Sequence, residues 1–200
     1  MTTSAPGAPR LILASTSAYR RELLARLRIP FDVRAPAVDE AALPGEAAAD
    51  LALRLAEAKA RAVGASSPTA LVIGCDQVAA LDGACLGKPG GHAAAVAQLK
   101  AMRGRDVVFH TALALLNTAS GRIQLAAVPT TVRFRACSDL EIERYLAAEQ
   151  PYDCAGSARI EGLGIALVER VTNDDPSALI GLPLIRLTTM LADEGVAIIR

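Results

Sequence analysis

The chain has 200 residues, carries 21 Lys and Arg against 21 Asp and Glu, and is 52% hydrophobic with 21% charged residues. A domain of this length buries about 70–75% of the surface its unfolded form exposes, so it needs no metal or disulfide staple, and it is too apolar to stay disordered. Zero net charge leaves no footprint for a nucleic-acid backbone or an anionic membrane, and no apolar run approaches the roughly 20 residues that cross a bilayer, so neither is an expected partner.

After a flexible lead of residues 1–9, residues 11–14 read as a short buried strand. Residues 17–28 have helical spacing, with Leu23, Leu24 and Leu27 on one stripe and Arg20, Arg21 and Arg26 off it. Pro30 ends that helix. Residues 31–35 alternate like a strand, 35–45 are loop-like, and 46–63 form an Ala-rich helix stopped by residues 64–68. Residues 71–81 are a strand followed by Asp82-Gly83, the dipeptide a type I′ turn prefers, so 78–81 and 84–86 form a hairpin. A helix over 93–102 precedes two strands, 107–116 and 123–128, which pair across 117–121, and a separate strand over 130–135. Ser138-x-x-Glu141 has the form of a capping box before a helix through Ala148; 165–170 read as a strand and 184–192 as a closing helix. Helices alternating with strands, several of them in hairpins, predict an α/β fold with a mixed central β-sheet flanked by helices, in one domain over residues 10–200.

Cys75, Cys85, Cys137 and Cys154 form no Cys-x-x-Cys pair and sit in apolar or small-residue settings, which reads as buried free thiols. With no leader-like N-terminal segment, a reducing cytoplasm is the expected compartment. Several common chemistries fail on spacing. Gly83-Ala84-Cys85-Leu86-Gly87-Lys88-Pro89 has three residues between its glycines and a proline where a P-loop needs Ser or Thr. Gly162-Leu163-Gly164 lacks the third glycine of a dinucleotide fingerprint, and His92 and His110 are too few for a His-based zinc site.

Polar clusters at the ends of apolar segments remain. Ser15-Thr16-Ser17-Ala18-Tyr19-Arg20 offers hydroxyls, backbone N–H groups and an arginine at a strand-to-helix junction, which suits a phosphate; a plain Ser17 cap beside a solvated Arg20 is the alternative. Asp76 and Gln77 interrupt an apolar strand. A carboxylate there needs partners, which makes Asp76 a candidate general base or metal ligand, or a turn acceptor. Lys59 on a helix and Lys88 in a stiff Gly-Lys-Pro loop can clamp phosphate oxygens, or be solvated. Asp39 and Glu40 add carboxylates able to hold a divalent cation.

Taken in order, Ser15-x-Ser17-x-x-Arg20-Arg21-x-Leu23-Leu24, Val38-Asp39-Glu40, Ala56-Glu57-Ala58-Lys59-Ala60, Gly74-Cys75-Asp76-Gln77-Val78, Gly87-Lys88-Pro89, Cys154-Ala155-Gly156-Ser157 with Glu161-Gly162, and Gly181-Leu182-Pro183-Leu184 resemble the Maf family of nucleoside triphosphate pyrophosphatases. The resemblance spans about residues 10–195. It implies a fold related to the inosine triphosphate pyrophosphatases, with two lobes around a cleft, and cleavage of a nucleoside triphosphate between the α and β phosphates with a divalent cation such as Mg2+, Mn2+ or Co2+. It implies Asp76 as proton acceptor, Ser15, Arg20, Lys59 and Lys88 as phosphate-binding residues, and Glu40 with Asp76 at the metal. A homodimer is compatible with it. Ala18 stands where the family often has proline and Cys75 where it has a small Ala or Ser.

At Tyr19, Gln77 and Glu161 the chain resembles the branch acting on 7-methyl-GTP, where the dTTP and UTP branch has Arg, Thr and Gln. The chemistry agrees, because N7-methylation makes guanine cationic and stacking on Tyr19 gains a cation–π term of about 0.5–2 kcal/mol. Glu161 can accept from N1–H and the exocyclic amine of guanine, and Gln77 can complete the base edge. The expected role is removal of modified nucleotides before they enter nucleic acid; dTTP or UTP hydrolysis, and regulation of division or septum formation, are the competing expectations.

Overall fold

In a computed structural model that describes residues 9–199, β1 (Arg10–Ala14) is buried on both faces, as its unbroken apolar run predicts. The expected lead, residues 1–9, lies outside the described residues except for Pro9. Next come α1 (Ala18–Ala25), β2 (Asp32–Arg34), α2 (Ala48–Gly64), β3 (Ala70–Leu81), β4 (Ala84–Leu86), α3 (His92–Met102), β5 (Asp106–Asn117), β6 (Ile123–Phe134), α4 (Asp139–Glu149), β7 (Val168–Thr172) and α5 (Leu184–Asp193). Asp82 and Gly83 both take positive φ, 49° and 82°, which gives the β3–β4 hairpin its type I′ backbone. Ser138 and Glu141 close the capping box at the start of α4. Among the described residues no helix is long and apolar enough to cross a membrane.

The strands form one mixed sheet in the order β2-β1-β3-β5-β6-β7, with β4 paired to β3. β1 is parallel to β2 and β3, and the β3–β5, β5–β6 and β6–β7 pairs are antiparallel. Two elements differ from the sequence reading. β6 is a single strand through Pro129, because β7 pairs only from Thr131 onward and Pro129 therefore has a ladder neighbour on one side alone. Residues 163–167 form a 3-10 turn rather than the first half of a strand. The carbonyl of Arg159 accepts from the amides of Gly162 and Gly164, at 3.1 and 3.0 Å, and a side chain at Gly164 would meet that carbonyl at 2.5 Å.

Side-chain alternation along β3 sorts the helices. Val72, Val78 and Ala80 pack against α2. On the opposite face Leu71, Ile73 and Cys75 meet α1 and α5, whereas Ala79 and Leu81 meet α3 and α4. Gln77, on that face, belongs to neither cluster, and residues from both faces of β3 line a cleft. All four cysteines are free, yet only Cys75 and Cys137 are buried; Cys85 on the outer hairpin is exposed and Cys154 half-buried, against the expectation of four buried thiols.

The Ala-rich face of α2 approaches β3 closely enough that a Cβ on Gly74 would lie 2.1 Å from the Ala56 carbonyl oxygen and 2.8 Å from the Ala60 amide nitrogen. Backbone atoms cannot yield as a flexible side chain can. Gly74→Ala is therefore expected to cost about 2–3 kcal/mol and to lower Tm by roughly 5–10 °C. A thermal melt within 2 °C of the parent, an order-of-magnitude threshold set by the same scaling, would contradict this close approach.

Candidate active site

A cavity of about 990 Å³ lies in the cleft. Ser15, Tyr19, Arg20, Glu40, Lys59, Asp76, Gln77, Lys88 and Glu161, all singled out from the sequence, lie on its wall.

The polar end is built on the contact between α2 and β3. Lys59 is 5% exposed and Asp76 8% exposed, and the Lys59 Nζ stands 2.6 Å from Asp76 Oδ1. The same nitrogen lies 2.6 Å from Glu40 Oε1, brought in by the loop before α2. The hydrogen bond from Lys59 holds the half-exposed Glu40 carboxyl below its usual range, with smaller help from the charges of Lys88 and Arg20. Asp39 turns away, its Oδ1 accepting from the Ala41 amide. Among the described residues no three His, Cys, Asp or Glu side chains gather into a metal-binding group. Two hard carboxylates on one ammonium do not make a closed cage. They do suit a magnesium-class cation that keeps several waters and completes its shell with substrate phosphates.

α1 enters the cleft N-terminus first. Ser17 Oγ caps it by accepting from the Arg20 amide at 3.3 Å, and buried Ser15 accepts from the Ser17 amide at 3.1 Å. The Ser17 cap is therefore real, but Arg20 is not simply solvated. Its Nη1 donates to the Cys75 carbonyl at 2.7 Å and its Nε to the Gly181 carbonyl at 3.0 Å, which aims the guanidinium along the cavity wall. Gly181 has φ 120°, and a Cβ there would lie 3.3 Å from that Nε. Lys88 is exposed on the cavity wall, in the loop whose Gly87 carbonyl accepts from Gln98.

Also on the cavity wall, Tyr19 faces a guanidinium that no motif in the sequence marked: Arg159 Cζ lies 5.1 Å from the ring centroid. Arg159 Nη1 pairs with Glu149 Oε1 at 3.0 Å, and its buried, otherwise unpartnered Nε lies 3.7 Å from Glu161 Oε1. Burial raises the Tyr19 phenol above its ordinary value, Arg159 opposes this, and Glu161, Cys154 and Asp153 add to it. Burial also pushes Cys75 to about 11 and Cys154 to about 12, so neither is a thiolate at neutral pH. Gly162 fits under Glu149, since a Cβ would come within 2.6 Å of its Oε1. No spacing signal marked Arg159 or Glu149; only the Glu161-Gly162 pair hinted at the turn that holds them. Gln77 is not joined to Glu161, its amide being turned toward residues 178–179.

Because Glu40 titrates below its ordinary value near 4.5, its pairing stabilises the fold above that value and is lost as pH falls through the depressed one. Glu40→Gln should therefore lower Tm at pH 7 and match the parent in strong acid, as read by melts across pH. A gap that persists unchanged in acid would contradict the pairing.

The Maf-like protein family matches residues 10–194. The chain is 58% identical to the 7-methyl-GTP pyrophosphatase of Albidiferax ferrireducens over 196 residues, covering 98% of each chain. It is 60% identical to the 7-methyl-GTP pyrophosphatase of Methylobacillus flagellatus over 96% of this chain and 100% of the relative, and 60% identical to that of Thiobacillus denitrificans over 96% and 95%. With the mixed sheet, the cleft and the predicted residues gathered on its wall, these matches identify the chain as a member of the Maf family.

Proposed function

We propose that this protein is a divalent-cation-dependent pyrophosphatase that hydrolyses 7-methyl-GTP to 7-methyl-GMP and diphosphate, in the cytoplasm, and so keeps the modified nucleotide out of nucleic acid. The similarity to relatives of that name supports the reaction. The base assignment rests on the acidic surplus around Tyr19. Glu149, Glu161 and Asp153 outnumber Arg159 there, and the ring already carries a planar cation on its face. A base with a delocalised positive charge and two adjacent N–H donors meets the demands of that corner, whereas a neutral pyrimidine leaves the surplus uncompensated.

In this reading Arg20, Lys59, Lys88 and the Ser15 hydroxyl take the phosphate oxygens and hold the chain of phosphates in line with an attacking water. Asp76 accepts the proton of that water as its oxygen bonds to the α-phosphorus and the bond to the bridging oxygen breaks, releasing diphosphate. Lys59 orients the Asp76 carboxylate for that step, with Oδ1 engaged and Oδ2 without a protein partner among the described residues. Lys59, Arg20 and Lys88 exceed Asp76 and Glu40 by only one formal charge, well short of neutralising a triphosphate. A divalent cation held by Asp76 and Glu40 would supply the missing charge neutralisation on the phosphates.

Pyrophosphate release from 7-methyl-GTP, GTP, dTTP, UTP, CTP and ITP, with and without EDTA, tests the proposal. The expected result is kcat/KM for 7-methyl-GTP about ten-fold above GTP, abolition by EDTA, and a loss of about 100- to 10,000-fold in Asp76→Asn. Preference for dTTP or UTP would overturn the base assignment, and release from none of them would overturn the enzyme reading.

A further inference from the structure

The amide of Gln77 is already engaged by the protein. Its Nε2 donates to Thr111 Oγ1 at 2.9 Å and lies 3.1 and 3.0 Å from the carbonyl oxygens of Ala178 and Leu179. Two carbonyl neighbours accept only from the nitrogen, so the orientation of the amide is fixed by its surroundings. Thr111 is fully buried and is the direct cross-strand partner of Gln77 between β3 and β5. Its hydroxyl accepts from Gln77 and donates to the Ala178 carbonyl at 2.9 Å.

Two residues toward the start of β3, on the same face, Cys75 Sγ donates to the Gly181 carbonyl at 2.9 Å. Residues 178–181 are thus tied across the sheet by a row of side-chain donors. Leu179 and Ile180 of this segment form part of the cavity wall, while Thr111 does not reach it.

We infer that buried Thr111 is a positioning residue for base selectivity: through Gln77 it holds residues 178–181 so that Leu179 and Ile180 shape the wall that meets the base. The inference rests on the proposed placement of the base in this cavity. A threonine at position 77 is too short to reach the two carbonyls. The wall would then relax whatever hydrogen bonds the base itself makes.

Thr111→Val keeps the shape of the side chain and removes its hydroxyl, whereas Thr111→Ser keeps the hydroxyl. The expected result for Thr111→Val is a roughly ten-fold fall in the kcat/KM ratio of 7-methyl-GTP over UTP, carried by KM with kcat within about two-fold, and restoration of the ratio in Thr111→Ser. An unchanged ratio in folded Thr111→Val, or the same loss in Thr111→Ser, would overturn the inference. Leu179→Ala provides a readout that does not depend on the folding of the buried variant. Combined with Gln77→Thr it should add nothing to the loss of selectivity, because both act through one wall; additive losses would overturn the inference. Should the parent prefer another triphosphate, the ratio is taken for that substrate, so a wrong base assignment and a wrong role for Thr111 give different results.

Discussion

The ammonium of Lys59 lies 2.6 Å from Asp76 and 2.6 Å from Glu40, and both Lys59 and Asp76 are almost withdrawn from water. A lone charge so placed costs several kcal/mol, and the pair is tolerated only because each charge finds the other at hydrogen-bond distance. That distance is set by backbone. Gly74, with Ala56 and Ala60 above it, lets α2 lie against β3 so closely that no larger residue fits. The contact that stabilises the fold is therefore also the contact that places a carboxylate and an ammonium side by side in the cleft.

The rest of the site follows from alternation along β3. Asp76 points to the α2 face and its neighbours Cys75 and Gln77 to the other, where they hold residues 178–181. The carbonyl of Gly181 receives the Arg20 guanidinium, while the carbonyls of Ala178 and Leu179 receive the Gln77 amide. One short segment thus receives both the Arg20 guanidinium and the Gln77 amide, and the glycine at position 181, with φ 120°, leaves room beside that guanidinium.

Most of this fold is legible in the sequence, because local signals and tertiary context agree: the Ser138–Glu141 box, the Asp82-Gly83 turn and the apolar runs of β1 and β3 each specify one element. Pro129 misleads, since its missing donor breaks a strand only where both edges are paired. The apolar residues after Gly164 mislead as well, because a carbonyl pressed against that glycine enforces a 3-10 turn. In the site, residue types with an evident chemical task are readable, as Asp76 inside an apolar strand shows. Arg159, Glu149 and Thr111 are not, because their roles arise from partners far along the chain: Tyr19 for Arg159, the turn at Gly162 for Glu149, and Ala178 for Thr111.

The packing of α2 on β3 brings the buried ion pair together; the pair costs stability only when one partner is left alone, and in the proposed reaction it supplies the proton acceptor. The most direct measurement compares Lys59→Met alone with Lys59→Met combined with Asp76→Asn, by chemical unfolding and by pyrophosphate release. The single variant strands a buried carboxylate and should lose about 3–5 kcal/mol, and the double variant, which removes both charges, should recover most of that stability without recovering activity. A single variant as stable as the parent, or a double variant that still turns over, would contradict the account.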